Sequence, residues 1–129
     1  MAIKDLLAVV DTGDKDEQFI KDALRFAEFH EARLTFLILS VVPTQDYAVS
    51  FGAPYVLLQD FIEAVEDKTK RLAERTRLSN IEVRTISDQP ERILTKSAVE
   101  ARYVDMVLFG PADTYDYPPV RRQVIESIL

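Results

Sequence analysis

The chain has no cysteine, a single histidine and only three glycines. Without cysteine there are no disulfides, thiolate metal sites or cysteine nucleophiles. With His30 alone, a metal site built from several histidines is excluded. Neither a Walker loop, Gly-x4-Gly-Lys-Ser/Thr, nor a nucleophile elbow, Gly-x-Ser-x-Gly, can be drawn through Gly13, Gly52 or Gly110. Apolar runs stop short of the ~18 residues a membrane span needs. The opening, MAIKDLL, has an acid at its fifth position and no A-x-A site, which argues against a signal peptide. A cytoplasmic location away from any membrane is the expectation. Positive charge is outnumbered, 16 Lys and Arg against 22 Asp and Glu. The net charge is −6 and the pI about 4.8, so the chain lacks the basic footprint of a nucleic-acid groove. Its one dense basic cluster, DKTKRLAERTR, is interleaved with acids and reads as a solvated helix face.

What is present is an alternation of two apolar patterns over 129 residues, the length of one compact domain. Leu6–Val10 is a short continuous apolar run, as expected of a strand covered on both faces. DEQFIKDALRFAEFHEA follows, with Ile20, Ala23, Leu24 and Ala27 at helical spacing and Phe19 and Phe26 widening the stripe. Arg33–Val42 is a second strand, ended by Pro43. After an irregular stretch, Pro43–Tyr55, the spacing predicts a helix near Val56–Leu78 with Leu58, Phe61, Ile62, Val65 and Leu72 inward. Ile81–Ser87 alternates and reads as a strand nearer the sheet edge. PERILTKSAVEAR opens with proline at a first helical position and carries the stripe Ile93, Leu94 and Ala98. Asp105–Gly110 is a fourth strand, and PPVRRQVIESIL a final helix.

An order β-α-β-α-β-α-β-α implies parallel strands joined by right-handed crossovers, with helices on both faces. The predicted fold is α/β: a doubly wound, mostly parallel sheet of the flavodoxin-like kind. Such sheets take ligands beyond the carboxyl ends of their strands, where strand order reverses. The first and fourth strands flank that point, so Asp11–Gly13 and Gly110–Asp113 are the candidate site segments.

At these residues the chain resembles the universal stress protein (UspA-like) family. DLLAVVD is similar to that family's first strand with its terminal aspartate. ALRFAEFHEARLTFLILSVV is similar to its first helix and second strand. PERILTKSAVEARYVDMVLFG is similar to its third helix and fourth strand, with the closing glycine. The resemblance implies an adenine nucleotide alpha hydrolase-like sheet in the order 3-2-1-4-5, and frequent homodimers. The fifth strand has no counterpart in residues 1–129, so the expected order is 3-2-1-4. The resemblance further implies an adenine-nucleotide site. Asp11 and Thr12 would meet the nucleoside, Val41 within Ser40–Val42 the adenine, and Gly110 and Pro111 the phosphates.

The family's phosphate loop runs Gly-x-x-Gly, nine residues, then Gly and Ser or Thr. Gly110 matches its first glycine. Asp113 stands at the second, where a carboxylate repels a triphosphate and a side chain blocks close backbone approach. The later Gly-Ser falls near Val124 and Ile125, inside a helical pattern. ATP or AMP binding is therefore expected to be weak.

The individual residues each carry two readings. Asp11 is either a hydrogen-bond acceptor for a ligand or a turn former in DTGDKDEQ. Gly110 is either a ligand-contacting glycine or a plain strand-to-loop turn. Asp113 and Asp116 offer too few oxygens for a hard cation, so ADTYDYPP reads as a solvated loop. Tyr47, Phe51 and Tyr55 read either as a lid or as packing on the sheet end or on another subunit. A receiver domain is rejected, because Asp11 lacks a partner acid beside it and no lysine follows Lys96. No catalytic constellation is apparent. The expectation is a non-catalytic stress-response module acting through a homodimer or a protein partner; the alternative is a structural dimerisation domain with a vestigial pocket.

Overall fold

The computed structural model describes residues 3–41, 54–75 and 81–129. Strands β1 (Asp5–Asp11), β2 (Arg33–Val41), β3 (Ile81–Asp88) and β4 (Met106–Phe109) form one parallel sheet in the order β3-β2-β1-β4. Helices α1 (Glu17–His30), α2 (Pro54–Arg75), α3 (Pro90–Ala101) and α4 (Pro118–Ile128) alternate with them. The predicted order and the alternation are those observed.

The continuous apolar run of β1 is explained by its two covered faces. Leu6, Ala8 and Val10 pack with Phe36 and Ile38 of β2 beneath Ile20, Ala23 and Ala27 of α1 and Leu72 of α2. Leu7 and Val9 pack with Leu37 and Leu39 beneath Ile93 of α3 and Val124 of α4. Successive side chains of a strand point to opposite faces, so a central strand between two helical layers has no polar face. β3 lies at one edge, and its alternating pattern reflects that position. Helix α1 ends where Glu31 takes a left-handed turn, φ 52°, its N–H bonding the carbonyls of Ala27 and Glu28. Pro90 and Pro118 each open a helix, where a missing N–H costs nothing.

At the amino end of the sheet, Asp105 ties β4 to the start of β1. Its carboxylate accepts from the backbone amides of Lys4 at 2.9 Å and Asp5 at 3.0 Å. Its own amide donates to the Asp5 carbonyl at 2.9 Å.

Two expectations need correction. Lys68 of the basic cluster is not on a solvated face: it is 2% exposed, while Ile62, expected inward, is 51% exposed. The inward stripe of α2 therefore runs through Lys68 and Leu72, because a buried acid and a carbonyl await the ammonium. β4 is also shorter than expected, ending at Phe109. The chain then makes a single 3₁₀ turn, Ala112–Thr114. Tyr47, Phe51 and the side chain of Tyr55 lie outside the described residues.

Candidate functional site

The carboxyl end of β1 leads into DTGDKDEQ, and the carboxyl end of β4 into GPADTYDY. The two loops meet over the seam between these strands, the point where strand order reverses. Pairing along that seam covers four residues of β4, Leu6–Val9 against Met106–Phe109. On its other side β1 pairs with β2 over its whole length, Asp5–Asp11.

Asp11 is the last residue of β1 and is buried. One carboxylate oxygen accepts from the Gly13 amide at 2.9 Å, an Asx-type turn. The other accepts from the Asp116 amide at 2.6 Å and the Tyr117 amide at 3.4 Å. Burial pushes the Asp11 carboxyl above its ordinary range, and the charge of Asp116 adds to the rise. The three amide bonds oppose it. A Cβ on Gly13 would stand 2.6 Å from a carboxylate oxygen of Asp116, so a side chain there would have to push that exposed carboxylate aside.

Tyr115 fills the seam. It is 5% exposed. Its hydroxyl donates to the Val9 carbonyl at 2.5 Å and accepts from the Gly110 amide at 3.0 Å, so a side-chain oxygen joins the two strands where their pairing stops. Burial pushes the phenol up to about 12. Arg121, one turn into α4, donates from Nε to the Gly110 carbonyl at 2.8 Å, and its guanidinium lies 5.8 Å from the centre of the Tyr115 ring. Thr114 closes the 3₁₀ turn onto the Pro111 carbonyl at 2.7 Å. A Cβ on Gly110 would lie 2.8 Å from the Thr114 hydroxyl and 3.0 Å from the Phe19 ring, so a side chain there would displace the 3₁₀ turn or Phe19.

The β1–α1 loop is fixed from the opposite side. Lys68 reaches from α2 to the Gly13 carbonyl at 2.6 Å and the Asp16 carboxylate at 2.5 Å. Both partners of this ion pair are almost fully buried. A buried charge is tolerated only when paired and hydrogen-bonded, and both conditions are met.

Of the residues expected at a nucleotide site, the fold brings Asp11 and Gly110 together through Tyr115–Tyr117. Thr12 is half-buried beside Asp11, and Pro111 is exposed at the start of the 3₁₀ turn. Val41 lies at the same end of the sheet, paired with Asp88 across the β2–β3 seam. Asp113 is exposed. Tyr115, Arg121, Lys68 and Asp16 were not legible as site residues. The segment ADTYDYPP is not a solvated loop throughout, since Tyr115 is part of the interior. Among the described residues no group of three or more His, Asp or Glu is placed to hold a metal ion.

No protein-family model matches the chain, and no curated protein matches its sequence. Solved structures do match its fold. A universal stress protein UspA from Lactobacillus plantarum superposes with a TM-score of 0.69 at 15% identity, over 98% of this chain and 93% of that one. A universal stress protein crystallised in complex with cAMP superposes with a TM-score of 0.50 at 18% identity, over 99% of this chain and 89% of that one. The likeness is one of fold: four parallel strands in the order 3-2-1-4 with alternating helices.

Proposed function

We propose that this chain is a universal stress protein-like, non-catalytic stress-response module whose adenine-nucleotide cleft is degenerate. The observation that carries this reading is the use of Asp11 and Gly110 by the chain itself. The Asp11 carboxylate already accepts three backbone amides, and the Gly110 amide and carbonyl are taken by Tyr115 and Arg121. A nucleotide entering the cleft would have to replace these bonds before gaining any of its own. The fold neighbours support the stress-protein assignment, and the neighbour holding cAMP makes adenine nucleotides the ligands to test.

Calorimetry with ATP, AMP and cAMP is expected to give dissociation constants no tighter than about 1 mM, a binding free energy near 4 kcal/mol. ATP incubated with magnesium and the protein is expected to stay intact. A micromolar constant for ATP would sink the reading.

A dimerisation role with a vestigial pocket is the second reading. It is favoured by β4, a short apolar strand at the sheet edge with Met106 partly exposed. Edges of that kind invite pairing with another chain. Light scattering discriminates, because a concentration-independent monomer leaves β4 no partner copy.

A further inference from the structure

The segment from Gly110 to Tyr117 has an unusual relation to the rest of the molecule. Between Pro111 and Pro119, Tyr115 is the only buried side chain. It belongs to neither of the two core clusters that flank the sheet. The segment is held at its ends and by polar bonds: Tyr115 to Val9 and Gly110, the Asp116 and Tyr117 amides to Asp11, and Arg121 to the Gly110 carbonyl. Withdrawing it would leave both cores packed. It would uncover a carboxylate, a backbone carbonyl and a backbone amide around a space the size of a phenol ring.

We propose that Gly110–Tyr117 is a self-inserted plug, an occupant of the β1–β4 crevice that swings out as a unit between Gly110 and Pro118 and competes with any ligand for Asp11 and the Gly110 backbone. Tyr115 supplies a planar ring with a hydroxyl at its tip, and the neighbouring amides supply donors to the carboxylate. The plug thus presents to the crevice the same groups that a hydroxyl-bearing aromatic ligand would present. Arg121 acts as the catch. It stands on α4, which Val124 anchors in the core, and it grips the hinge carbonyl rather than the plug's tip. This inference rests on the reading of the crevice as a degenerate ligand cleft.

Native-state hydrogen exchange on the full chain, with AMP as the probe ligand, tests it. In the wild type, the Gly110, Asp116 and Tyr117 amides are expected to exchange together and about tenfold or more faster than those of Leu7–Val10. Tyr115→Phe removes two hydrogen bonds and is expected to speed the three amides by roughly another tenfold. Arg121→Gln should act in the same direction, and it serves if the first variant fails to fold. Either variant should bind AMP about tenfold tighter than the wild type. Exchange of the segment only at the core rate overturns the proposal. So does unchanged AMP affinity in a variant whose segment opens faster. Micromolar AMP binding to the wild type would instead refute the degenerate cleft, and the exchange rates would still judge the plug.

Discussion

Two loops lie side by side at the carboxyl edge of the sheet, and they are held by opposite chemistries. The β1–α1 loop is clamped by a buried ion pair, Lys68 to Asp16, reinforced by the Gly13 carbonyl. The β4–α4 loop is held without an ion pair, by a neutral phenol between two backbone groups, two backbone amides on the Asp11 carboxylate and Arg121 on the Gly110 carbonyl. Asp11 accepts from both loops and is where they join. The two clamps have different prospects of release. Separating a buried ion pair strands a charge in a poorly solvated place, so Lys68 and Asp16 part only when the structure comes apart. Withdrawing a phenol strands no charge. The permanent loop therefore carries Asp11, and the releasable one covers it.

The largest effect should come from the charged clamp. Lys68→Ala leaves Asp16 buried without its partner and is expected to cost about 3–5 kcal/mol. Urea unfolding measures it, and a loss below about 1 kcal/mol would erase the distinction between the loops.

A somewhat smaller effect separates the neutral clamp by pH. The folded phenol of Tyr115 is pushed up from 10.0 to about 12, so the unfolded chain ionises there first. The stability is fully present below about pH 10 and is lost as pH rises towards 12, to the extent of about 2–3 kcal/mol. Unfolding curves across that range, set beside tyrosinate absorbance, should show a late-ionising phenol in the wild type and none in Tyr115→Phe. A wild-type curve that matches the variant throughout would mean that the hydroxyl is not buried.

The smallest effect is a control far from both loops. Ser97 of α3 is fully buried, and among the described residues its hydroxyl finds no hydrogen-bond partner. Ser97→Ala removes an unsatisfied group and adds a better helix former, so a gain of up to about 1 kcal/mol in melting experiments is expected. The exchange rates of Gly110, Asp116 and Tyr117 should not move. If they do, the two loops are coupled through the core, and their comparison cannot be made locally.

The fold was legible because its signals are local or periodic. Leu6–Val10 shows a strand covered twice, and Pro90 and Pro118 mark helix starts. The candidate site was legible only in part. Asp11 and Gly110 stand at strand ends, which topology alone brings together. Lys68 was hidden because a lysine among acids on a helix is ordinarily solvated, and its partner Asp16 lies 52 residues away in sequence. Tyr115 was hidden for the same reason at greater range, since its hydroxyl answers to Val9, 106 residues away. A loop's composition reveals that it turns, and says nothing of which carbonyl a hydroxyl will find.

The tie that Asp105 makes with the amides of Lys4 and Asp5 bears on the order in which the molecule forms. Those groups are 101 and 100 residues apart. β1 meets β2 across a far shorter span, Asp5 opposite Arg33. Closing the longer loop costs only about 1 kcal/mol more in chain entropy, yet none of the reward arrives until β4 docks. On chain separation alone, β2 and α1 can assemble on β1 early, and β4 is expected to join after them. The crevice beside Asp11, with the segment that fills it, is then expected to take shape only after β1, α1 and β2 have assembled.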